Sequence, residues 1–228
     1  MSCSSFKHTL EPTVTGTSVV GIKYTNGVMV AADCLGSYGS LARYQSISRI
    51  YKMNDQVVVA ASGDYADFQY IKQTLEELQE SNDSLQDKHK LTAKAVFSYL
   101  TRLMYNRRSN FNPLWNNFVV AGVDDNKIST LGAVDLLGLA FEDDTVGTGF
   151  GAYLALPLLR EQYEKNPNMT EEEARKCLED SLRILHYRDA RSSNKIEIVK
   201  ITPEGVTLSD PYTLETNWEI ADLVSGYE

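Results

Sequence analysis

The chain has 228 residues, 43% of them hydrophobic and 23% charged, which suits one globular domain with a sizeable core and is too apolar for general disorder. Its 22 basic and 31 acidic residues leave a net charge of −9, which excludes a phosphate-backbone footprint as its main business. No run approaches the roughly 18 apolar residues of a membrane span, and the opening Met1–His8 lacks the apolar centre of a secretory signal. Cys3, Cys34 and Cys177, at unrelated spacings beside only 3 histidines, give neither a disulfide framework nor a zinc site.

In chain order, Gly16-Thr17-Ser18 lead into a strand-like run, Val19 to Tyr24, which Thr25-Asn26-Gly27 turns into Val28 to Asp33. Ile47 to Met53 and Val57 to Ala61, parted by Asn54-Asp55, read as two more strands, so the chain opens on four antiparallel strands. Phe68, Ile71, Leu75 and Leu78 then recur at three and four residues with charges between them, which predicts an amphipathic helix closed by Asn82-Asp83-Ser84. A second helix is expected from about Leu91 to Arg108, with Val96, Leu100 and Leu103 on one face and a basic end suited to the helix dipole.

Strands return at Asn117 to Val123, Ser129 to Asp135 and Gly138 to Glu142, and Gly151 to Glu164 reads as helix. Thr170 and Glu173 form a capping box for a fourth helix, whose Ala174, Cys177, Leu178, Leu182 and Leu185 share a face. The tail holds an alternating run, Lys195 to Ile201, a Pro203-Glu204-Gly205 turn and a closing segment around Trp218 to Val224. Strands, two helices, strands, two helices, strands is the order of an α+β fold in which two stacked sheets each carry a helix pair outside.

A Gly-Thr junction ahead of a hairpin is how a chain with an N-terminal threonine nucleophile would begin. There the hydroxyl attacks an acyl carbon while the residue's own freed α-amine takes the proton, so the chemistry turns on whether Thr17 becomes a chain end. Gly16-Thr17, Ala31-Ala32-Asp33, Ser62-Gly63-Asp64, Gly147-Thr148-Gly149 and Tyr187-Arg188-Asp189-Ala190, in this order and spacing, resemble the β-subunits of the 20S proteasome over nearly the whole chain. Leu35 to Leu41, Arg107-Arg108-Ser109 with Asn112 to Asn116, and Glu215-Thr216-Asn217-Trp218 resemble one type within that family, regarded as non-catalytic.

The resemblance implies the four-layer αββα sandwich of N-terminal-nucleophile hydrolases. It also implies that Thr17 holds the nucleophile's position, Asp33 that of the carboxylate beside it, Gly63 that of the oxyanion amide, and Asp189 and Ser192 those that hold the threonine amine. Two positions depart from active members: Thr148 stands for a serine, and Arg49 for an essential lysine. A lysine can be pushed toward neutrality and share a proton with the nucleophile, whereas a guanidinium stays charged at any working pH. The site is therefore expected to be vestigial, with Arg49 pairing with Asp33 and filling the space beside Thr17, and with Met1 to Gly16 not removed by the chain itself. Residues 1–16 would be an extension or short prosegment ahead of a single domain, 17–228.

The reading implied is a non-catalytic structural subunit of the proteasome β ring, serving assembly and the chamber wall in ATP- and ubiquitin-dependent degradation. Its partners would be β-subunits of the same and opposite ring and α-ring subunits, in cytoplasm and nucleus, with no nucleic acid, membrane, metal or cofactor. An active threonine endopeptidase, using Thr17 after loss of residues 1–16, is the alternative. A free-standing adaptor is disfavoured, because the helix-pair faces of this fold are built to meet neighbours. Arg107-Arg108-Ser109 reads as a contact with another subunit, His186 as structural, and Gly226-Tyr227-Glu228 as a short tail replacing a long C-terminal arm.

Overall fold

The computed structural model describes residues 9, 11–85, 90–219 and 221. Seven strands come first: β1 (Val14–Gly16), β2 (Val19–Tyr24), β3 (Gly27–Asp33), β4 (Gly36–Tyr38), β5 (Leu41–Tyr44), β6 (Ile50–Lys52) and β7 (Val57–Asp64). Helices α1 (Tyr65–Asp83) and α2 (Ala93–Ser109) follow, then β8 (Asn116–Val123), β9 (Ser129–Val134), β10 (Ala140–Glu142) and β11 (Thr145–Gly147). Helices α3 (Gly151–Leu154), α4 (Leu156–Lys165) and α5 (Glu171–Arg188) lead to β12 (Lys195–Thr202), β13 (Gly205–Leu208) and β14 (Tyr212–Thr213).

The strands form two antiparallel sheets. The larger has 8 strands in the order β10-β9-β8-β7-β1-β4-β5, with β6 also on β7; the smaller has 6, in the order β11-β2-β3-β12-β13, with β14 on β12. Side-chain alternation along each strand divides the core into layers. From β3, Val28, Val30 and Ala32 pack between the sheets against Val58 and Ala60 of β7 and Val119 and Ala121 of β8. Met29 and Ala31 point the other way, onto Leu178, Leu182 and Leu185 of α5. In β7 the neighbours Val57, Val59 and Ala61 meet Phe68, Ile71 and Leu75 of α1 and Val96, Leu100 and Met104 of α2. Because both faces of the central strands are covered, they read as nearly unbroken apolar runs. The result is the four-layer αββα sandwich that the element order and the resemblance imply.

Three helices begin on side-chain caps: Asp64 accepts from the Asp67 N–H at α1, Thr92 from Ala95 at α2, and Thr170 from Glu173 in a complete capping box at α5. The expected helix over 151–164 is two, α3 and α4, meeting at Ala155. Pro157 has no N–H to give to the Tyr153 carbonyl, so the α-helical ladder cannot run through it.

The four opening strands are seven. The additions β1, β4 and β5 are three or four residues long and lack an alternating apolar pattern; β11, β13 and β14 are short strands of the same kind. Met1–His8, Leu10 and Gly226-Tyr227-Glu228 lie outside the described residues, as does most of the expected closing segment after Trp218. No helix among the described residues is long and apolar enough to cross a membrane.

Leu178 is fully buried between α5 and the smaller sheet. Leu178→Ala is expected to cost about 2–5 kcal/mol of unfolding free energy through the cavity it leaves. Lys176→Ala, on the exposed side of the same helix, should stay within about 0.5 kcal/mol. Urea titrations of the two variants check the difference.

Candidate functional site

Thr17 and Ser18 are the two residues on which the chain crosses from the larger sheet (β1) to the smaller (β2). Around this crossing the fold gathers the ends of several elements: Asp33 closes β3, Arg49 precedes β6, Gly63 lies near the end of β7, Thr148 follows β11, and Asp189 caps α5. All seven residues singled out in the sequence stand at this end of the sheet stack.

Arg49 lies at its centre, 2% exposed. Its Nε–H donates to the Asp33 carbonyl (3.0 Å), Nη1 to the carbonyls of Thr17 and Ala61 (3.0 Å each), and Nη2 to the Ser18 carbonyl (2.8 Å) and the Asp33 carboxylate. A guanidinium has five N–H donors and no acceptor, so every proton Arg49 has is committed, and none goes to the Thr17 hydroxyl. The side chain also passes over Gly16, where an added Cβ would stand 2.2 Å from Arg49 Cδ. Gly16 is thus required by the arginine that packs on it.

Asp33 is likewise 2% exposed and completes its second oxygen with the Ser193 N–H (3.0 Å). Burial pushes its carboxyl up, against the pull of Arg49 and the Ser193 amide. The Thr17 hydroxyl donates to Asp189 Oδ2 at 2.5 Å, and Asp189 Oδ1 accepts the Arg191 N–H at 2.9 Å. Ser192 contributes its backbone N–H to the Asp189 carbonyl (3.1 Å). The Thr148 hydroxyl accepts the Val19 N–H (2.9 Å), so it serves the smaller sheet rather than Thr17. Cys34, next along the chain from Asp33, is no nucleophile: burial, with Glu197 and Asp33 nearby, pushes its thiol up to about 12.

At Gly63 both edges of β7 are taken. Gly16 of β1 stands opposite it on one side and Asn116 of β8 on the other. Gly63 has φ +96°, and a Cβ would fall 2.0 Å from the Trp115 carbonyl oxygen, so glycine is obligatory for conformation and space alike.

The segment ahead of Thr17 is tied down by residues to which the sequence reading gave no role. Asp64 Oδ1 accepts the Thr13 N–H (2.9 Å), Asp67 Oδ1 the Thr9 hydroxyl (2.9 Å), and Trp115 Nε1–H donates to the Thr9 carbonyl (3.0 Å). The remaining oxygens of the two buried carboxylates take the N–H groups of Asp67 (3.0 Å) and Trp115 (2.9 Å). The one available signal was an Asp-x-x-Asp pair at the start of an amphipathic run, which reveals a helix cap but not a distant strand held by the same carboxylates.

Chemically, the arrangement holds Thr17 in place: its hydroxyl donates to Asp189, and Arg49, which stays protonated, directs no N–H at that hydroxyl.

A family model described as "Proteasome subunit" matches residues 13–201. The chain is 53% identical over 222 residues to proteasome subunit beta type-4 of Xenopus laevis, covering 97% of this chain and 91% of the relative. It is 47% identical over 217 residues to proteasome subunit beta type-4 of Arabidopsis thaliana, covering 95% and 87%. It is 41% identical over 233 residues to proteasome subunit beta type-7 of Saccharomyces cerevisiae, covering 98% and 88%.

Removing one member of a buried ion pair leaves the other uncompensated. Arg49→Met, which also strips four carbonyls of a donor, is expected to destabilise the chain by about 3–5 kcal/mol. Arg49→Lys, with three donors for five acceptors, should lose less but still measurably. Adding Asp33→Asn to Arg49→Met should cost less than the sum of the two single changes. Urea midpoints of the four variants check the series.

Proposed function

The chain belongs to the proteasome subunit family, and we propose that it is a non-catalytic member of the β ring, which helps to assemble the core particle and walls its chamber. One observation carries this reading: all five N–H groups of Arg49 are bound to Asp33 and to backbone carbonyls, Thr17's own among them. The position from which a lysine would relay a proton is filled by a structural cation. The likeness to β type-4 subunits of frog and plant and to yeast β type-7 supports the same place in the family.

On this reading Thr17, Asp33, Arg49, Gly63, Thr148, Asp189 and Ser192 are a vestigial site, and none of them is catalytic. The partners are β-subunits of the same and opposite ring and subunits of the α ring, in the cytoplasm and nucleus. Residues 1–16 form an extension ahead of the domain 17–228, with Val14–Gly16 of that extension woven into the domain's larger sheet as β1. Pairing on both sides, to β7 and β4, holds the Gly16-Thr17 bond next to a sheet ladder rather than in an accessible loop.

The expected N-terminus of this chain in purified native particles lies before Gly16, read by intact mass and N-terminal sequencing. A start at Thr17 would overturn the reading and make the active threonine endopeptidase the hypothesis to test. Thr17→Ala should leave every peptidase activity of the particle unchanged, because no chemistry is assigned to that hydroxyl. Loss of any one activity, or covalent modification of Thr17 by a threonine-directed suicide inhibitor, would contradict it.

A further inference from the structure

Helix α2 ends in a Schellman motif. The Phe111 N–H donates to the Arg108 carbonyl (3.1 Å) and the Asn112 N–H to the Arg107 carbonyl (3.0 Å), which puts Phe111 at the left-handed position just beyond the Asn110 cap. Its φ is +54°. Glycine is the usual occupant of this position, and a bulky side chain there is an outlier. Phe111 is also 91% exposed, the highest value among the exposed large hydrophobic residues described. Local conformation and hydration both disfavour a phenylalanine here, so its ring answers to something outside the chain.

The loop that presents it is held firmly. Arg107 Nη2 donates to Asn112 Oδ1 (3.3 Å), the Asn110 side chain donates to the Asn106 carbonyl (2.9 Å), and Leu114 beyond is 2% exposed. The surroundings are cationic: Arg107 and Arg108 form the last turn of α2, a helix with no acidic residue, in a chain of net charge −9. Arg108 lies over the exposed ring of Tyr105 at 5.7 Å and Arg107 over that of Tyr70 at 5.8 Å. A rigid, exposed aromatic knob beside stacked arginines has the composition of a protein–protein anchor.

We propose that Phe111 is an anchor that inserts into an apolar socket rimmed by carboxylates on a neighbouring subunit, with Arg108 pairing at the rim. The inference rests on the reading of this chain as a ring subunit. A protein surface is favoured over nucleic acid because the arginine pair is confined to the C-terminal end of one helix in a chain of net charge −9.

The test expresses the tagged chain with a complete set of core-particle subunits and an equal amount of untagged wild-type competitor, and measures the tagged share in purified particles by intact mass. Phe111→Asn keeps a residue that tolerates the left-handed backbone and is expected to fall at least about tenfold against wild type, as befits a hot-spot anchor. Arg108→Glu should fall in the same direction, and Phe111→Leu should retain most of the wild-type share. Phe111→Asn incorporated at the wild-type level would overturn the inference and leave the assigned function intact, whereas a wild-type chain absent from particles would overturn both. A matching fall in the urea midpoint of the free Phe111→Asn chain would overturn the inference by making the ring structural. So would Phe111-dependent binding of a single-stranded oligonucleotide with incorporation unchanged.

Discussion

An arginine buried where two sheets meet must find five acceptors, and the places where Arg49 finds them define how this end of the molecule is joined. Asp33 belongs to the smaller sheet, Ala61 to the larger, and Thr17 and Ser18 to the crossing between them. One side chain therefore stitches both sheets and the connection at a single point. Desolvating a charged pair is costly, and an apolar replacement of the same volume can be as stable. Here the pair also fixes geometry, because four of its bonds go to backbone carbonyls whose partners depend on register. The requirement reaches the preceding residue, since only glycine at position 16 lets the side chain pass.

Strand β1 makes a second dependence visible. In the order of the larger sheet, β4 and β5 reach β7 only through β1, so the residues immediately ahead of Thr17 bridge the sheet's two parts. Two buried carboxylates, Asp64 and Asp67, hold the approach to that strand at Thr13 and Thr9. The segment that completes the sheet is joined to Thr17 through the Gly16-Thr17 bond, so a cut that freed the Thr17 amine would fall directly after β1.

The long elements were legible because their periods are long enough to read. Helices α1, α2 and α5 show apolar residues at three and four, and β7, β8 and β12 show runs of Val, Ile and Ala bounded by turns. Strands such as Gly36–Tyr38 were not, since three residues of Gly, Ser and Tyr carry no period and are a strand because β1 and β5 lie beside them. The break at Ala155 had its signal in Pro157, which the helical reading passed over. Of the site, the gathering of seven distant residues came from family resemblance rather than from any local pattern. What no sequence pattern carries is the saturation of Arg49, because its acceptors are mostly carbonyls, which every residue has. The glycine missing at the end of α2 was the only trace of the strained Phe111.

The presence of chemistry-bearing residue types at this site is weak evidence for activity, because Thr17, Asp33, Arg49, Thr148 and Asp189 each have a structural partner. The Thr17 hydroxyl bonds Asp189 at the end of α5, tying the crossing to a helix; the Thr148 hydroxyl closes onto Val19 and ties β2 to the loop after β11. Asp33, through Ser193, fixes the entry to β12. A buried polar group costs free energy if left unpaired whatever its chemical task, so polar residues gathered where two sheets meet are turned on one another. Competence at such a site turns on whether a donor or base remains free to serve a substrate, and at Arg49 all five N–H groups are bound within the fold.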